Sequence, residues 1–202
     1  MKISTSILNM EKDSNHLVEL NNSSTDYIHL DIMDGKFVDN VSDMYDFINE
    51  NKVDKPLDIH LMVEDVSEYI EKYSNLNPEY MTFHIEVGNT LSLINKIKSK
   101  DIKVGLSISP NTDISKLIPF LEYIDMVLIM SVEPGRGGQK FLDNTYQKLE
   151  HINELKKEYS FIIEVDGGIN SENSKTINAD MIVVGSYITK SVSMQDAINT
   201  LK

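Results

Sequence analysis

Eight short runs rich in Ile, Val, Tyr, Phe and Met constrain the fold of this chain more than any other feature. Each has the length and composition of a β-strand. They are Ile3 to Leu8, Tyr27 to Met33, Leu57 to Val63, Tyr80 to Val87, Lys103 to Ile108, Met126 to Met130, Phe161 to Val165 and Met181 to Val184. Segments with helical spacing lie between them, among them His16 to Leu20, Val66 to Tyr73, Leu91 to Ile97 and Asn144 to Tyr159. This alternation predicts parallel strands joined by helical crossovers.

The number of strands does not distinguish an open doubly wound sheet from a closed barrel. The alternation inside the strands is more informative: His29 and Asp31 alternate with apolar residues in the second run, as Asp58 and His60 do in the third. A parallel strand is normally apolar on both faces, so polar residues on one face indicate that the strands line a pocket. We therefore predict a compact (β/α)8 TIM barrel, with residues 1–202 as a single catalytic domain.

The composition excludes several classes of function. The chain has no Cys, which removes disulfides, thiolate metal sites and cysteine nucleophiles. Its net charge of -13, from 32 acidic and 19 basic residues, disfavours nucleic acid and anionic membranes as partners. No apolar run approaches the roughly 18 residues of a membrane span, and the first residues lack the pattern of a signal peptide. We expect a cytoplasmic protein.

A cluster of metal-ligating side chains is predicted at the C-terminal ends of the strands. His29 and Asp31 lie two positions apart and project to the same side, and His60 occupies the corresponding face of the next strand. Asp166, after the seventh run, offers a fourth ligand. Imidazole and carboxylate ligands suit one divalent ion, Zn, Fe(II), Mn or Co. The alternative is a set of buried His–Asp pairs with a purely structural role.

Asp31 and Asp166 also suit proton transfer from two sides of a substrate, because they come from strands two and seven of the predicted barrel. Inverting a carbon requires removal of a proton from one face and delivery to the other. A metal between the carboxylates would stabilise an enediolate intermediate. The alternative is that both carboxylates are only ligands and that water is the base.

Glycine-rich turns follow three consecutive strands and predict a phosphate site. They are Glu133 to Gln139, Asp166-Gly167-Gly168 and Gly185-Ser186. In this fold, backbone N–H groups after strands seven and eight frequently bind phosphate. Backbone dipoles bind an anion even in an acidic protein. The alternative interpretation is three tight turns.

Three methionines occur where strands end: Met33, Met62 and Met130. Their flexible, polarizable side chains are suited to cap an enediolate and to exclude water from it. The alternative is that they only fill the core.

These segments resemble one family, the ribulose-phosphate 3-epimerases. The motifs occur in the family's order from residue 6 to residue 186. They are Ser6 to Asn9, His29 to Val38, Asp58 to Val63, Met130 to Gly135, Gly137 to Phe141, Glu164 to Gly168, and Gly185-Ser186.

The resemblance implies a barrel of the ribulose-phosphate-binding type and an isomerase of the pentose phosphate pathway, which interconverts D-ribulose 5-phosphate and D-xylulose 5-phosphate. It implies His29, Asp31, His60 and Asp166 as metal ligands, with Asp31 as proton acceptor and Asp166 as proton donor in one direction. It further implies substrate contacts and a lid at Ser6, His60, Gly135, Arg136, Gly137, Gly138, Asp166, Gly167, Gly168, Gly185 and Ser186. A homo-oligomer is expected as well.

The chain departs from the family at Arg136, where the lid usually carries an aromatic residue, and in short connections over residues 40–55 and 171–179. An epimerase for a ketohexose 6-phosphate such as allulose 6-phosphate is the nearest alternative. Hexulose-phosphate synthases and orotidine-phosphate decarboxylases use an Asp-x-Lys-x-x-Asp array, and the segment Asp31-Ile32-Met33-Asp34 has no Lys in the required place. The alternative from a different class is a barrel that binds sugar phosphate without catalysis.

Overall fold

Eight parallel strands close into a barrel in the computed structural model, which describes residues 1–202. They are β1 (Lys2–Ser6), β2 (Tyr27–Asp34), β3 (Leu57–Met62), β4 (Tyr80–His84), β5 (Lys103–Ile108), β6 (Met126–Met130), β7 (Ile162–Asp166) and β8 (Met181–Val184). Each strand pairs with its neighbours in chain order, and β1 pairs with both β2 and β8, which closes the ring. The predicted (β/α)8 barrel is confirmed.

Seven α-helices surround the strands. They are α1 (Ser14–Asn22), α2 (Tyr45–Glu50), α3 (Val66–Tyr73), α4 (Thr90–Lys98), α5 (Asn144–Leu155), α6 (Ser186–Thr189) and α7 (Met194–Leu201). None of these helices combines the length and the apolar character needed to cross a membrane. α5 ends four residues before the predicted Tyr159.

Two crossovers differ from the expected α-helical pattern. Residues 114–123, between β5 and β6, form two 3-10 helices, and Asn173–Lys175 forms one between β7 and β8. Pro119 removes a backbone donor in the first of these connections. The second connection has to return to β8 within residues 167–180, which leaves room for a single turn. A two-residue strand, Val41–Ser42, pairs antiparallel with the end of β2 and was not expected from the sequence.

The two faces of each strand have different surroundings. Ile28, Leu30 and Ile32 of β2 face the helices and belong to an apolar core of 48 buried residues. Inside the barrel, the lowest layer contains one side chain from each even-numbered strand, and these pack together as a separate cluster: Tyr27, Tyr80, Met126 and Met181. Above that layer the side chains inside the barrel are mostly polar, so the groups capable of chemistry lie towards the C-terminal ends of the strands.

Gly105 of β5 lies where the barrel interior has no space for a side chain. A Cβ at this position would approach Thr82 Oγ1 to 2.0 Å and Met126 Cε to 3.0 Å. We predict that Gly105→Ala lowers the free energy of unfolding by about 1–3 kcal/mol because of this overpacking. Urea denaturation followed by circular dichroism measures the change.

Ser107→Ala is the matched control on the same strand and the same interior face. The Ser107 hydroxyl is buried without a hydrogen-bond partner, so its loss should change stability little. Equal midpoints for Gly105→Ala and the wild-type protein would contradict the packing argument.

Candidate functional site

The four predicted metal ligands meet at the C-terminal end of the barrel. One potential ligand atom from each of His29, Asp31, His60 and Asp166 lies within 4.8 Å of the others. Asp31 Oδ1 is 3.4 Å from His29 Nε2 and 3.4 Å from His60 Nδ1. His60 Nδ1 is also 3.9 Å from Asp166 Oδ2. The register of β2 and β3 causes this proximity, because Asp31 pairs with His60 across the two strands.

His29 is oriented by Asp58, which lies opposite it on β3. His29 Nδ1 is 2.6 Å from Asp58 Oδ2, and the Ser4 hydroxyl donates to the same oxygen over 2.8 Å. Burial alone would lower the pKa of His29, but the charges of Asp58 and Asp31 outweigh it and raise that pKa well above its usual value. His29 is therefore protonated when no cation is bound, and a cation at Nε2 has to displace that proton.

A second chain of side chains leads away from His60. His60 Nε2 is 2.9 Å from His84 Nε2, and His84 Nδ1 is 3.2 Å from Glu86 Oε2. Burial lowers the pKa of His60 to about 4, so its imidazole is neutral. Burial would raise the pKa of Glu86, but hydrogen bonds from His84, Thr112 and the Ser109 N–H lower it to about 2.

The two carboxylates of the site have opposite pKa shifts. Burial would raise the pKa of Asp31, but the neighbouring His29 and His60 hold it well below its usual range. Desolvation, followed by the negative charge of Asp31, raises the pKa of Asp166 to about 7. At neutral pH the site thus contains one ionised carboxylate and one carboxyl group that exchanges a proton.

The side chains present fit a divalent cation. His29 Nε2 and His60 Nδ1 are buried and have no hydrogen-bond partner, and both lie beside Asp31. Unpartnered buried nitrogens are costly in a folded protein. A cation bound by two imidazole nitrogens and carboxylate oxygens would satisfy them, and this ligand set suits borderline transition metals.

A cavity of about 190 Å³ opens above this cluster. Almost all of the predicted substrate contacts line it: Ser6, Asp31, Gly135, Arg136, Gly137, Gly138, Asp166, Gly167, Gly168, Gly185 and Ser186, with Met33, Met62 and Met130. The exception is His60, which is fully buried together with His29 beneath the lining residues. Both imidazoles therefore lie beneath the floor of the cavity, where they contact Asp31.

The turn after β7 requires its two glycines. A Cβ on Gly167 would lie 2.4 Å from Val132, and one on Gly168 would lie 2.4 Å from the backbone nitrogen of Phe141. No hydrogen bond within the protein uses the backbone N–H of Gly168 or of Gly185. Both glycines line the cavity, so these unused donors are available to an anion.

The predicted lid, residues 133–139, is braced from both sides. Gln139 Nε2 donates to the carbonyl oxygens of Glu133, over 2.6 Å, and of Arg136, over 2.8 Å. Asn40 Nδ2 donates to the Gly135 carbonyl over 3.1 Å. Arg136 is exposed and is the only cationic side chain that lines the cavity.

The sequence suggested no role for Asp58 or His84, and for Glu86 and Glu164 it suggested only hydrogen bonds that support the ligands. Asp58 and His84 support the two histidines, and Glu86 supports His84. Glu164 is fully buried near His29 and Asp58, and burial together with the charge of Asp58 raises its pKa well above the usual value. The alternation of polar residues within the strands indicates that these side chains share a face of the sheet. It does not indicate which residue each of them contacts.

Comparison with known proteins places the whole chain among sugar-phosphate epimerases. The model of the ribulose-phosphate 3 epimerase family matches residues 2–189. Ribulose-phosphate 3-epimerase from Helicobacter pylori is 38% identical over 213 residues, which cover 100% of this chain and 97% of the relative. The cytoplasmic isoform from Oryza sativa is 36% identical, over 99% of this chain and 90% of the relative.

A solved structure supports the fold at low sequence identity. KGPDC from Streptococcus mutans superposes with a TM-score of 0.73 at 10% identity, over 99% of this chain and 94% of the other.

The pKa shifts predict how metal binding depends on pH. Asp166 has a pKa of about 7 and His29 one well above its usual value, so both bind protons in the metal-free protein below pH 7. Because a ligand has to lose its proton, the affinity for Co²⁺ should fall as pH decreases, by about ten- to a hundredfold per unit below pH 7. Isothermal titration between pH 6 and pH 8 measures the slope.

Asp166→Asn should reduce the number of protons released on Co²⁺ binding by about one, because asparagine does not titrate. The affinity of this variant should therefore depend less steeply on pH. An affinity independent of pH over this interval would contradict the proposed ligands.

Proposed function

The chain belongs to the ribulose-phosphate 3-epimerase family, and from this premise we propose that Asp31 and Asp166 transfer the C3 proton of the substrate on its opposite faces. The enzyme is an isomerase that interconverts D-ribulose 5-phosphate and D-xylulose 5-phosphate, a reaction of the pentose phosphate pathway. Inversion at C3 needs one group to remove the proton and another to return it on the other side.

Asp31 is suited to be the base in the direction from ribulose 5-phosphate. Its pKa lies well below the usual range, so it is ionised, and the Ser6 hydroxyl donates to its Oδ2 over 2.7 Å. The bond from Ser6 leaves Oδ1 towards the histidines and fixes the plane of the carboxylate. A fixed carboxylate abstracts a proton without first reorganising.

Asp166 is suited to be the acid, because burial and the charge of Asp31 raise its pKa to about 7 in the metal-free site, where the carboxyl group exchanges a proton at neutral pH. It lies at the end of β7 and lines the cavity, as Asp31 does from β2. The single observation that carries the proposal is this pair: two carboxyl groups in one site, with pKa values driven in opposite directions. In the reverse direction the two residues exchange roles.

We propose that His29, Asp31, His60 and Asp166 hold one divalent ion, Zn, Fe(II), Mn or Co. When bound, the ion supplies positive charge that stabilises the negative charge developing on the substrate oxygens. Met33, Met62 and Met130 are almost completely buried at the cavity surface, and their role here is to exclude water from the enediolate.

The phosphate end of the site is proposed to lie at the glycine turns. The N–H groups of Gly168 and Gly185 are unused within the protein, and Ser186 adds a hydroxyl nearby. Lid residues Gly135 to Gly138 cover this end, and Arg136 supplies the one positive charge. Backbone donors and a single guanidinium therefore recognise the dianion in a protein of net charge -13.

Three further expectations stand as proposals: one catalytic domain over residues 1–202, a homo-oligomer, and a cytoplasmic location. The relative named the cytoplasmic isoform in Oryza sativa supports the location. Light scattering measures the subunit number. Comparison of kcat/KM on ribulose 5-phosphate and allulose 6-phosphate distinguishes the pentose substrate from a ketohexose phosphate.

The two-base proposal predicts different partial reactions for its two variants. Asp31→Asn and Asp166→Asn should each lower the rate of epimerisation by about 10²–10⁴-fold. Asp166→Asn keeps the base, so in D₂O it should still exchange the C3 proton of ribulose 5-phosphate without forming xylulose 5-phosphate. A coupled assay and proton NMR measure the two rates.

Asp54→Asn is the control, because Asp54 is an exposed residue paired only with Lys52 at the surface. It should retain wild-type activity, and circular dichroism should confirm that all three variants are folded. If both active-site variants epimerise at wild-type rates while metal is bound, the carboxylates are only ligands and water is the base.

The proposed contact between Arg136 and the phosphate predicts a change in KM. Arg136→Ala should raise KM for ribulose 5-phosphate by about 10- to 100-fold, the value of a lost charge-assisted hydrogen bond, with a smaller effect on kcat. Increasing salt should weaken substrate binding less in the variant than in the wild-type protein.

Lys140→Ala is the charge-matched control, since Lys140 is exposed next to the lid and does not line the cavity. Equal KM values for the two variants would show that Arg136 does not contact the phosphate.

A further inference from the structure

Three side chains connect the floor of the site to the loop after β5. His60 Nε2 lies 2.9 Å from His84 Nε2, and His84 Nδ1 lies 3.2 Å from Glu86 Oε2. Glu86 is held by the Ser109 N–H, which donates to Oε1 over 2.9 Å, and by the Thr112 hydroxyl. Both donors to Oε1 come from the loop, so Oε2 is left for His84.

The direction of each hydrogen bond in this chain follows from the acceptor at its end. An ionised carboxylate only accepts, so His84 Nδ1 has to carry the proton that it donates to Glu86. A His84 ring that carries this single proton keeps a lone pair on Nε2. His60 Nε2 therefore donates to His84, and His60 Nδ1 carries no proton.

In this tautomer the His60 nitrogen that faces the site, Nδ1, carries a lone pair. His60 Nδ1 lies 3.4 Å from Asp31 Oδ1 and 3.9 Å from Asp166 Oδ2, and it is buried without a hydrogen-bond partner. In the other tautomer an N–H would point at these carboxylates, and no lone pair would be left for a cation.

Ring packing holds the chain in this geometry. The rings of His60 and His84 lie edge to edge across their hydrogen bond, inclined by 24° with centroids 5.0 Å apart, and the Phe37 ring lies 4.8 Å from the His84 ring. His60 and His84 are both fully buried, so water does not compete for the hydrogen bond between them. Glu86 is the member of this series that reaches solvent, with its side chain 23% exposed.

We propose that Glu86, acting through His84, is a positioning residue that fixes the tautomer of His60 so that the Nδ1 lone pair faces the catalytic cluster. This proposal rests on the proposed function for its consequence, which is metal affinity, but the tautomer itself exists in the metal-free protein. Partners that orient metal-binding histidines typically contribute 10- to 100-fold to affinity.

The first test is the tautomer of His60, measured by 15N NMR of the metal-free protein. In the wild-type protein we expect protonation at Nε2 alone. In Glu86→Ala we expect a mixture of tautomers, because His84 Nδ1 keeps only the Ser109 hydroxyl, 3.4 Å away, which can donate as well as accept. Glu86→Gln keeps an oxygen that accepts from His84, so it should restore most of the wild-type signal.

The second test is the affinity for Co²⁺, measured by competition with a chelator. Glu86→Ala should weaken it by about 10- to 100-fold, and Glu86→Gln should bind more tightly than Glu86→Ala. With Co²⁺ in excess, kcat of Glu86→Ala should recover while KM for the substrate stays unchanged, since the phosphate end is not affected. A general loss of packing would not recover with metal.

Glu79→Ala is the matched control. Glu79 is also a partly buried carboxylate beside β4, but it lies at the opposite end of the barrel and bonds to Tyr27 and Lys103. Its removal should change neither the His60 tautomer nor the affinity for Co²⁺.

Two results would overturn the inference: a proton on Nδ1 of His60 in the wild-type protein, or equal Co²⁺ affinity in Glu86→Ala and the wild type. If the wild-type protein bound no divalent ion while the tautomer shifted as expected, the positioning role would stand and the proposed metal site would fail.

Discussion

The pairing of β1 with β2 is the interaction on which the site depends. In an unclosed sheet of this strand order, β1 and β2 would lie at opposite edges. Their pairing, with Ser6 in register with His29, completes the ring and brings the Ser6 hydroxyl to 2.7 Å from Asp31. It also brings a carboxylate oxygen of Asp166 on β7 within 4.8 Å of the potential ligand atoms on β2 and β3. Closure of the barrel therefore creates the site, and no local motif creates it alone.

Closure also buries polar side chains, which explains why the histidines have such defined partners. His29 and His60 are completely buried, and each has one nitrogen bound to a supporting side chain and one directed at Asp31. In water either nitrogen would find a partner. Inside the barrel, an unsatisfied nitrogen costs free energy that must be recovered by a bound cation or by a proton. The competition between protons and cations at this site is thus a consequence of its burial.

The sequence predicted most of the barrel because its strand signal is strong: short apolar runs of Val, Ile, Leu and Met mark β6 and β8 at their observed bounds. It predicted four residues that do cluster, since the period of two assigns His29 and Asp31 to one face. It did not predict that Asp58 supports His29 or that Glu86 supports His84, because those contacts depend on register and on a loop from another strand. The sequence also did not predict the 3-10 helices in the crossovers, because residues 114–123 have an apolar content similar to that of short α-helices.

The net negative charge of the chain affects the substrate differently at long range and at contact with the site. A net charge of -13 opposes the approach of a sugar phosphate over long distances, but the field is screened within about 8 Å at physiological ionic strength. At contact, the fixed dipoles of the glycine turns and the Arg136 side chain dominate. The opposing field has a further effect, because it favours release of a phosphorylated product as much as it slows binding of the substrate. An enzyme whose substrate and product carry the same charge gains nothing from retaining either, so local recognition by backbone N–H groups suits a reversible epimerisation.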